Sequence, residues 1–288
     1  MTINAPEVGI APDPSPVPFG LFSVADVRPG GARTLFGRVF DTDACQSSAE
    51  AGAWCDPDAD DKIVTDATYR VSSRPFTVYT LLRCRLLGSR DIPSRAAAIA
   101  ANSEERAVER AFMAHVLSAD LDPTGGTDRA TDITPTPGTA VCPELGVALL
   151  EGFMGRVYAG LPVLHVPRTL GSLLGTMGAL VRNGNRLETV QRTPVASGTG
   201  YDGEWNIGPD GTAVDPADGT YWLYATGVVE LERGEEQRSG LVPVRAAGGG
   251  YENEGDSLIE RAWAANVDCI RAAVLVNTPC LSSPVGGA

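Results

Sequence analysis

Lysine is all but missing from this chain: of 23 basic residues only Lys62 is lysine, and the rest are arginine. Histidine is nearly as scarce, with His115 and His165 alone. A phosphate loop of the G-K-S/T kind needs a lysine beside its glycines, and the one lysine stands in "DDKIV" instead. A Ser-His-Asp arrangement has two histidines to draw on, one in a long helical stretch and one in "VLHVPR". No G-x-S-x-G elbow occurs. The six cysteines, Cys45, Cys55, Cys84, Cys142, Cys269 and Cys280, form no C-x-x-C pair, so the clustered spacing of a zinc site is absent. "DPDADD" (56–61) lacks the twelfth-position glutamate and flanking helices of a calcium loop. No catalytic, cofactor-binding or metal-ligating residue is assigned. No apolar run reaches the ~18 residues a membrane helix needs. The opening "MTINAPEVGIAPDPSPVPFG" has neither the basic start nor the apolar centre of a secretory signal, and reads as an extended arm.

Positive charge is also in deficit, the net charge being −13. So acidic a surface repels phosphate and disfavours sequence-specific nucleic-acid binding. The arginine bias has two sources open to it, the codons of a GC-rich genome and arginine's enrichment at protein contacts. What is plentiful is glycine (33) and proline (21), which point to many turns and long loops. With 43% apolar residues over 288 positions, the chain suits one large domain or two modest ones with a sizeable core. Cys45 and Cys55 bracket "CQSSAEAGAWC" and form the candidate local disulfide under oxidising conditions; the other thiols read as reduced and buried.

One glycine motif has two possible meanings. In "PVASGTGYDGEW", Gly198, Gly200 and Gly203 have the G-x-G-x-x-G spacing of a dinucleotide loop. That loop needs a buried strand before it and a helix after it, whose N-terminus faces the pyrophosphate. Here Pro194 interrupts the run before, and "EWNIGPDGTAVDPADG" after it is turn upon turn. The spacing is therefore read as coincidence.

Along the chain, "KIVTDATYRVSSRPFTVYTLLRCRLL" reads as a long hairpin turning near Ser72–Pro75, with Phe76, Val78, Thr80, Leu82, Cys84 and Leu86 on one face. Such a ribbon, with little helix to cover it, needs a partner. Asp91 then caps a helix with Pro93 in its first turn, and no further breaker comes before Pro123, so a rod of roughly 40 Å follows. Val108, Ala111, Phe112, His115 and Val116 form its apolar stripe. Glu105, Glu109, Arg106 and Arg110 are expected on its outside, and Ser103 could cap a second segment at a kink. A helix from Pro143, a buried strand "LPVLHVP" and a helix over "RTLGSLLGTMGALVR" come next, the last with Leu170, Leu173, Leu174, Met177 and Val181 as its stripe. "TYWLYATGVVELER" alternates as a strand. The end, "DSLIERAWAANVDCIRAAVLVN", reads as a short helix and then a strand over 267–276.

In their order, these parts resemble the major capsid protein of tailed bacteriophages, the Hong Kong 97-type α+β fold also found in encapsulin shells. The resemblance rests on "RPFTVYTLLRCRLL", "EERAVERAFMAHVL", "GLPVLHVPRTLGSLLGTMGALV", "TPVASGTGYDG", "YWLYATGVVEL" and "ERAWAANVDCIRAAVLV", and covers nearly the whole chain. It implies an N-terminal arm at 1–37, an extended loop at 38–90, and a spine helix with the first part of a peripheral domain at 91–139. An axial domain at 140–218 and the rest of the peripheral domain at 219–288 would follow. The implied role is structural and non-enzymatic: hexamers and pentamers of this chain closing an icosahedral head in the virion. That head would be built in the bacterial host cytoplasm around double-stranded DNA held without sequence-specific contacts. Scaffolding, portal or decoration proteins are implied partners, and no cofactor or membrane is. Some members cross-link a loop lysine to a neighbour's asparagine with a glutamate taking up protons, which would cast Lys62, Asn253 and Glu260 in those roles. An encapsulin-like shell and a soluble enzyme with a loop-borne site are the alternatives.

Overall fold

The structure, a computed structural model, describes residues 17–31, 33–37, 39–42, 69–85, 91–119, 129–240, 242–245 and 251–278. It is mixed α+β. Three helices are described, α1 (Ile92–Phe112), α2 (Pro143–Val157) and α3 (Arg168–Thr176). The strands in order are β1 (Asp26–Pro29), β2 (Val39–Thr42), β3 (Tyr69–Ser72), β4 (Arg74–Arg85), β5 (Thr131–Asp132), β6 (Val163–Pro167) and β7 (Leu180–Asn183). They continue as β8 (Arg186–Thr189), β9 (Pro194–Gly198), β10 (Thr220–Thr226), β11 (Val229–Arg238), β12 (Val242–Arg245), β13 (Tyr251–Val267) and β14 (Arg271–Asn277). The chain forms two compact units, a smaller one of residues 1–17, 79–104 and 238–259, and a larger one of the remainder.

The long helix starts at the expected cap. The Asp91 carboxylate accepts the Ser94 amide at 3.2 Å, and Pro93 occupies the first turn, where an amide would have no intrahelical partner. At Ser103 no kink forms. Its hydroxyl donates back to the Ile99 carbonyl at 2.7 Å, and Asn102 does the same to Ala98 at 2.9 Å, so both side chains serve the existing helix instead of capping a new one. A single π turn, Met113–Leu117, ends the rod, closed by the Ser118 amide and hydroxyl on the Met113 carbonyl.

In the larger unit a seven-stranded sheet runs in the order β5-β14-β10-β6-β9-β8-β7. β10 pairs antiparallel along its full length with β14, and β6 pairs parallel with β9. Both faces are covered, so β6 is buried at all five positions and reads as an unbroken apolar run. On one face Leu164, Val195, Leu223, Ala225 and Val274 pack with Leu150, Met154, Leu170 and Leu174 from α2 and α3. On the other, Val163, Ala196, Tyr224 and Ala273 pack with Phe112, Val116 and Leu117 from the end of the long helix.

Three expectations give way here. β3 and β4 do not form a hairpin: β3 pairs with β2, and β4 pairs with β13. One residue, Ser73, separates them, which is too few for a chain reversal. The alternation along β4 holds, with Phe76, Val78, Thr80 and Leu82 half-buried and Pro75, Thr77, Tyr79 and Leu81 exposed. Next, the stretch from Asp256 to Ala265 is not helical but lies inside the 17-residue strand β13. Gly255, Ser257 and Ile259 alternate as buried positions there, and sheet pairing overrides the helix preference of its Ala, Glu and Arg. Finally, α3 stops at Thr176 because Gly178 takes φ +77°, a left-handed helix stop, and Ala179 donates to the Leu174 carbonyl. Leu170 and Leu174 are buried, whereas Leu173, Met177 and Val181 are exposed.

The smaller unit holds the outer part of β4, the first part of α1, β12 and the first part of β13. β12 pairs antiparallel with β13, and Arg83 grips both Asp256 oxygens, at 2.8 and 2.9 Å. The Ser239 hydroxyl accepts the Leu258 amide at 2.8 Å, and Ile92, Ala96 and Ile259 are buried.

Candidate functional site

The densest buried polar cluster lies in the larger unit, where two carboxylates of α1 meet two distant loops. Glu105 and Glu109 sit one helical turn apart, and with Val108, Phe112 and Val116 they lie on the buried face of the helix. Glu109 is 1% exposed. One of its oxygens accepts the Leu21 amide at 3.0 Å and the other the Gly200 amide at 2.8 Å. Glu105 accepts the Phe22 amide at 2.8 Å. The helix thus supplies the acceptors that the turn at Leu21–Ser23 and the loop after β9 lack.

The glycines of "GTGYDG" find their explanation here. A Cβ at Gly200 would lie 2.4 Å from the Glu109 Cβ and 2.5 Å from the Arg106 carbonyl, and one at Gly198 would strike the Glu109 carboxylate. These residues let the loop touch the long helix; no helix follows them, and the nucleotide spacing is coincidence as expected. Between the glycines Tyr201 is fully buried, and Asp202 accepts the Thr169 amide at 2.9 Å, capping α3 from outside its own chain segment. Arg168 ties the same junction to the Pro18 and Ser197 carbonyls, and the Ser197 amide donates to the Phe19 carbonyl at 2.6 Å.

Electrostatics follow from burial. Desolvation pushes Glu109 up to about 7, against the opposing pull of its two amide donors, and raises Glu105 as well. The neighbouring carboxylate raises Glu109 further, while Arg168 draws both downward. Beneath them His165 is wholly buried and pushed down to about 3, so it stays neutral. Its tautomer follows from its partners. The Thr226 hydroxyl donates to the Gly227 carbonyl at 2.8 Å, so His165 Nε2–H donates to Thr226 Oγ1 at 2.9 Å, and Nδ1 is left to accept from Tyr201, 3.4 Å away. Phe112 packs on the same imidazole, with ring centroids 5.3 Å apart. This cluster fastens chain segments together; it holds no nucleophile beside a base and opens on no substrate.

Of the acidic and basic side chains expected on the outside of α1, only Arg106 is exposed. Glu109 is the residue that sequence reasoning misplaced, although its step of four to Glu105 and three to Phe112 sets it on the buried face. His115, expected in the stripe, is exposed and stacks against Phe76 with centroids 6.4 Å apart. Lys62, Cys45 and Cys55 lie outside the described residues. Asn253 and Glu260 both stand in β13, and Glu260 is half-buried. Cys269, read as a reduced thiol, is disulfide-bonded. Among the described residues no group of three or more His, Cys, Asp or Glu side chains could hold a metal ion, and no helix is long and apolar enough to cross a membrane.

No protein-family model matches the sequence, and no curated protein does. Solved structures do match. A chain of Microbacterium phage Oxtober96 is similar over 96% of both chains, with 14% identity and a TM-score of 0.54. The capsid of Ralstonia phage GP4 is similar over 99% of this chain and 97% of that one, with 8% identity and a TM-score of 0.53. The capsid of the native GTA particle covers 96% and 95%, with 13% identity and a TM-score of 0.50. At such identities the likeness is one of fold: this chain has the mixed α+β fold of phage capsid proteins.

Proposed function

We propose that this chain is a structural shell subunit that assembles with copies of itself into a phage head. The observation that carries the reading is the likeness to capsid chains over 96% or more of this chain, with no large part left over for another task. Under it the Hong Kong 97-type parts are an arm at 1–37, an extended loop at 38–90 and a spine helix with peripheral elements at 91–139. An axial domain at 140–218 and the rest of the peripheral domain at 219–288 complete them. Hexamers and pentamers close an icosahedral shell around double-stranded DNA in the virion, after assembly in the bacterial host cytoplasm. An acidic chain, with net charge −13, suits a container that must not adhere to its cargo. The buried carboxylate cluster then has a mechanical role, holding the segment that follows the arm against the spine helix.

Electron microscopy and sedimentation of the purified, assembled protein test this. Closed icosahedral particles are expected, and a discrete monomer or small oligomer under all assembly conditions overturns it. Closed particles carrying protein cargo and no DNA would favour the encapsulin-like alternative. The same particles, boiled and reduced on a denaturing gel, decide the cross-link of Lys62 to Asn253: a ladder keeps it, and one band at monomer mass removes it.

A further inference from the structure

The seven-stranded sheet of the larger unit ends in β7, which pairs with β8 and leaves its other side open. Arg182 in β7 and Arg186 at the start of β8 are exposed, beside Val181 at 46% and Met177 at 40% exposure. Arg192, nearby in sequence, is already paired with Glu188 at 3.1 Å. Neither Arg182 nor Arg186 has a carboxylate within ion-pair distance among the described residues. The same unit carries a surface of opposite sign. No basic residue occurs from 199 to 220, and Glu204, Asp210, Asp215 and Asp218 are all exposed there. The Asp210 and Asp215 carboxylates accept amides of their own turns, while those of Glu204 and Asp218 make no hydrogen bond among the described residues.

A ring of identical subunits joined head to tail needs two different, mutually complementary patches on every copy. We propose that the β7–β8 edge, led by Arg182 and Arg186, docks on the acidic 204–218 loop of a second copy of this chain. The inference rests on the shell-subunit reading and names the contact within a capsomer. Charge complementarity selects this occupant: an acidic chain offers few cationic edges, and this one faces outward beside exposed apolar side chains. The competing account is that the two arginines merely guard an open sheet edge against unwanted pairing.

Charge reversal in both directions separates the accounts. Wild type, R182E/R186E, E204R/D218R and the four-fold variant are purified, melted, and scored for capsomers and shells by sedimentation and electron microscopy. Each two-fold reversal is expected to melt like wild type and to lose assembly at least about tenfold, since it sets like charges face to face. The four-fold variant is expected to recover to within about twofold of wild type, and rising salt is expected to weaken wild-type assembly. If R182E/R186E assembles like wild type, or the four-fold variant stays unassembled while folded, the proposed contact is wrong. A wild-type chain that never assembles removes the shell reading, and this inference with it. Should a reversal fail to fold, R182Q/R186Q is held to the same criterion, again with an assembly loss expected.

Discussion

The seven-stranded sheet and the outer part of β4 are built from the same alternating strand chemistry and end up very differently. In the sheet, β10 has neighbours on both edges and apolar cover on both faces, so Tyr224, Leu223 and Ala225 are all at 0% exposure. Along the outer part of β4, Tyr79 is 68% and Leu81 54% exposed, and Val242 of β12 is 54% exposed. Polar groups follow the same division. In the larger unit buried groups such as Glu109, His165 and Asn206 find partners inside, Asn206 bonding both backbone groups of Trp222 at 2.7 and 3.0 Å. In the smaller unit the conspicuous polar contact is the exposed Arg83–Asp256 pair, of a kind that contributes about 0–1 kcal/mol. One region carries its stability within itself, and the other leaves apolar surface to solvent as an isolated subunit.

The sharpest way to break this comparison is Phe112→Ala in the unassembled subunit. Phe112 is at 0% exposure and joins the long helix to the sheet face and to His165. Its loss is expected to destabilise by about 3–5 kcal/mol in chemical denaturation. A loss under about 1 kcal/mol would mean that the sheet face does not depend on the helix.

A pH series comes next in size. Glu109 rises from 4.5 to about 7 on folding, so the folded state holds its proton more tightly. Stability from this group is therefore gained as pH falls from about 7 towards 4.5 and lost as pH rises through 7, a swing of ~3 kcal/mol. His165 acts in the opposite sense. Its value falls from 6.5 to about 3, so stability is lost as pH drops below 6.5. The two overlap, and the informative quantity is the difference between wild type and Glu109→Gln across pH 5 to 8. That difference is expected to slope with the sign given for Glu109, and a flat one would show that the Leu21 and Gly200 amides keep Glu109 ionised. Gly200→Ala should follow with a loss of about 1–3 kcal/mol, because the obstructing Arg106 carbonyl is backbone and cannot swing away.

What could be read from the chain divides along the same line. Local chemistry was enough for the capped start of α1, the alternation of β4 and the all-buried β6, since caps, proline placement and apolar runs act within a few residues. It was not enough where the partner lies far off in sequence. β13 looks helical by composition and is a strand because other strands claim it, and β3 turns to β2 although β4 is adjacent. The carboxylate cluster was hidden for the same reason. A glutamate in "EERAVER" reads as surface charge until loops at 20–22 and 198–200, some ninety residues away in either direction, bring amides that need an acceptor. Gly198 and Gly200 were the visible trace of that meeting. Their spacing suggested a phosphate loop, while the need they answer is close approach to a helix.

The smallest expected effect is the most exacting test of the comparison. Leu81→Ala removes an isobutyl group that is 54% exposed, and in the unassembled subunit it should change stability by no more than about 0.5 kcal/mol. Phe112→Ala on the same chain, by the same denaturation assay, should cost several times as much. If the two losses are equal, the outer face of β4 is packed within the subunit after all, and the contrast between a self-sufficient sheet and an exposed strand is void. If Leu81→Ala is silent in the subunit but lowers the stability of assembled material, the missing contacts of β4 are made on a neighbouring copy, as a shell subunit requires.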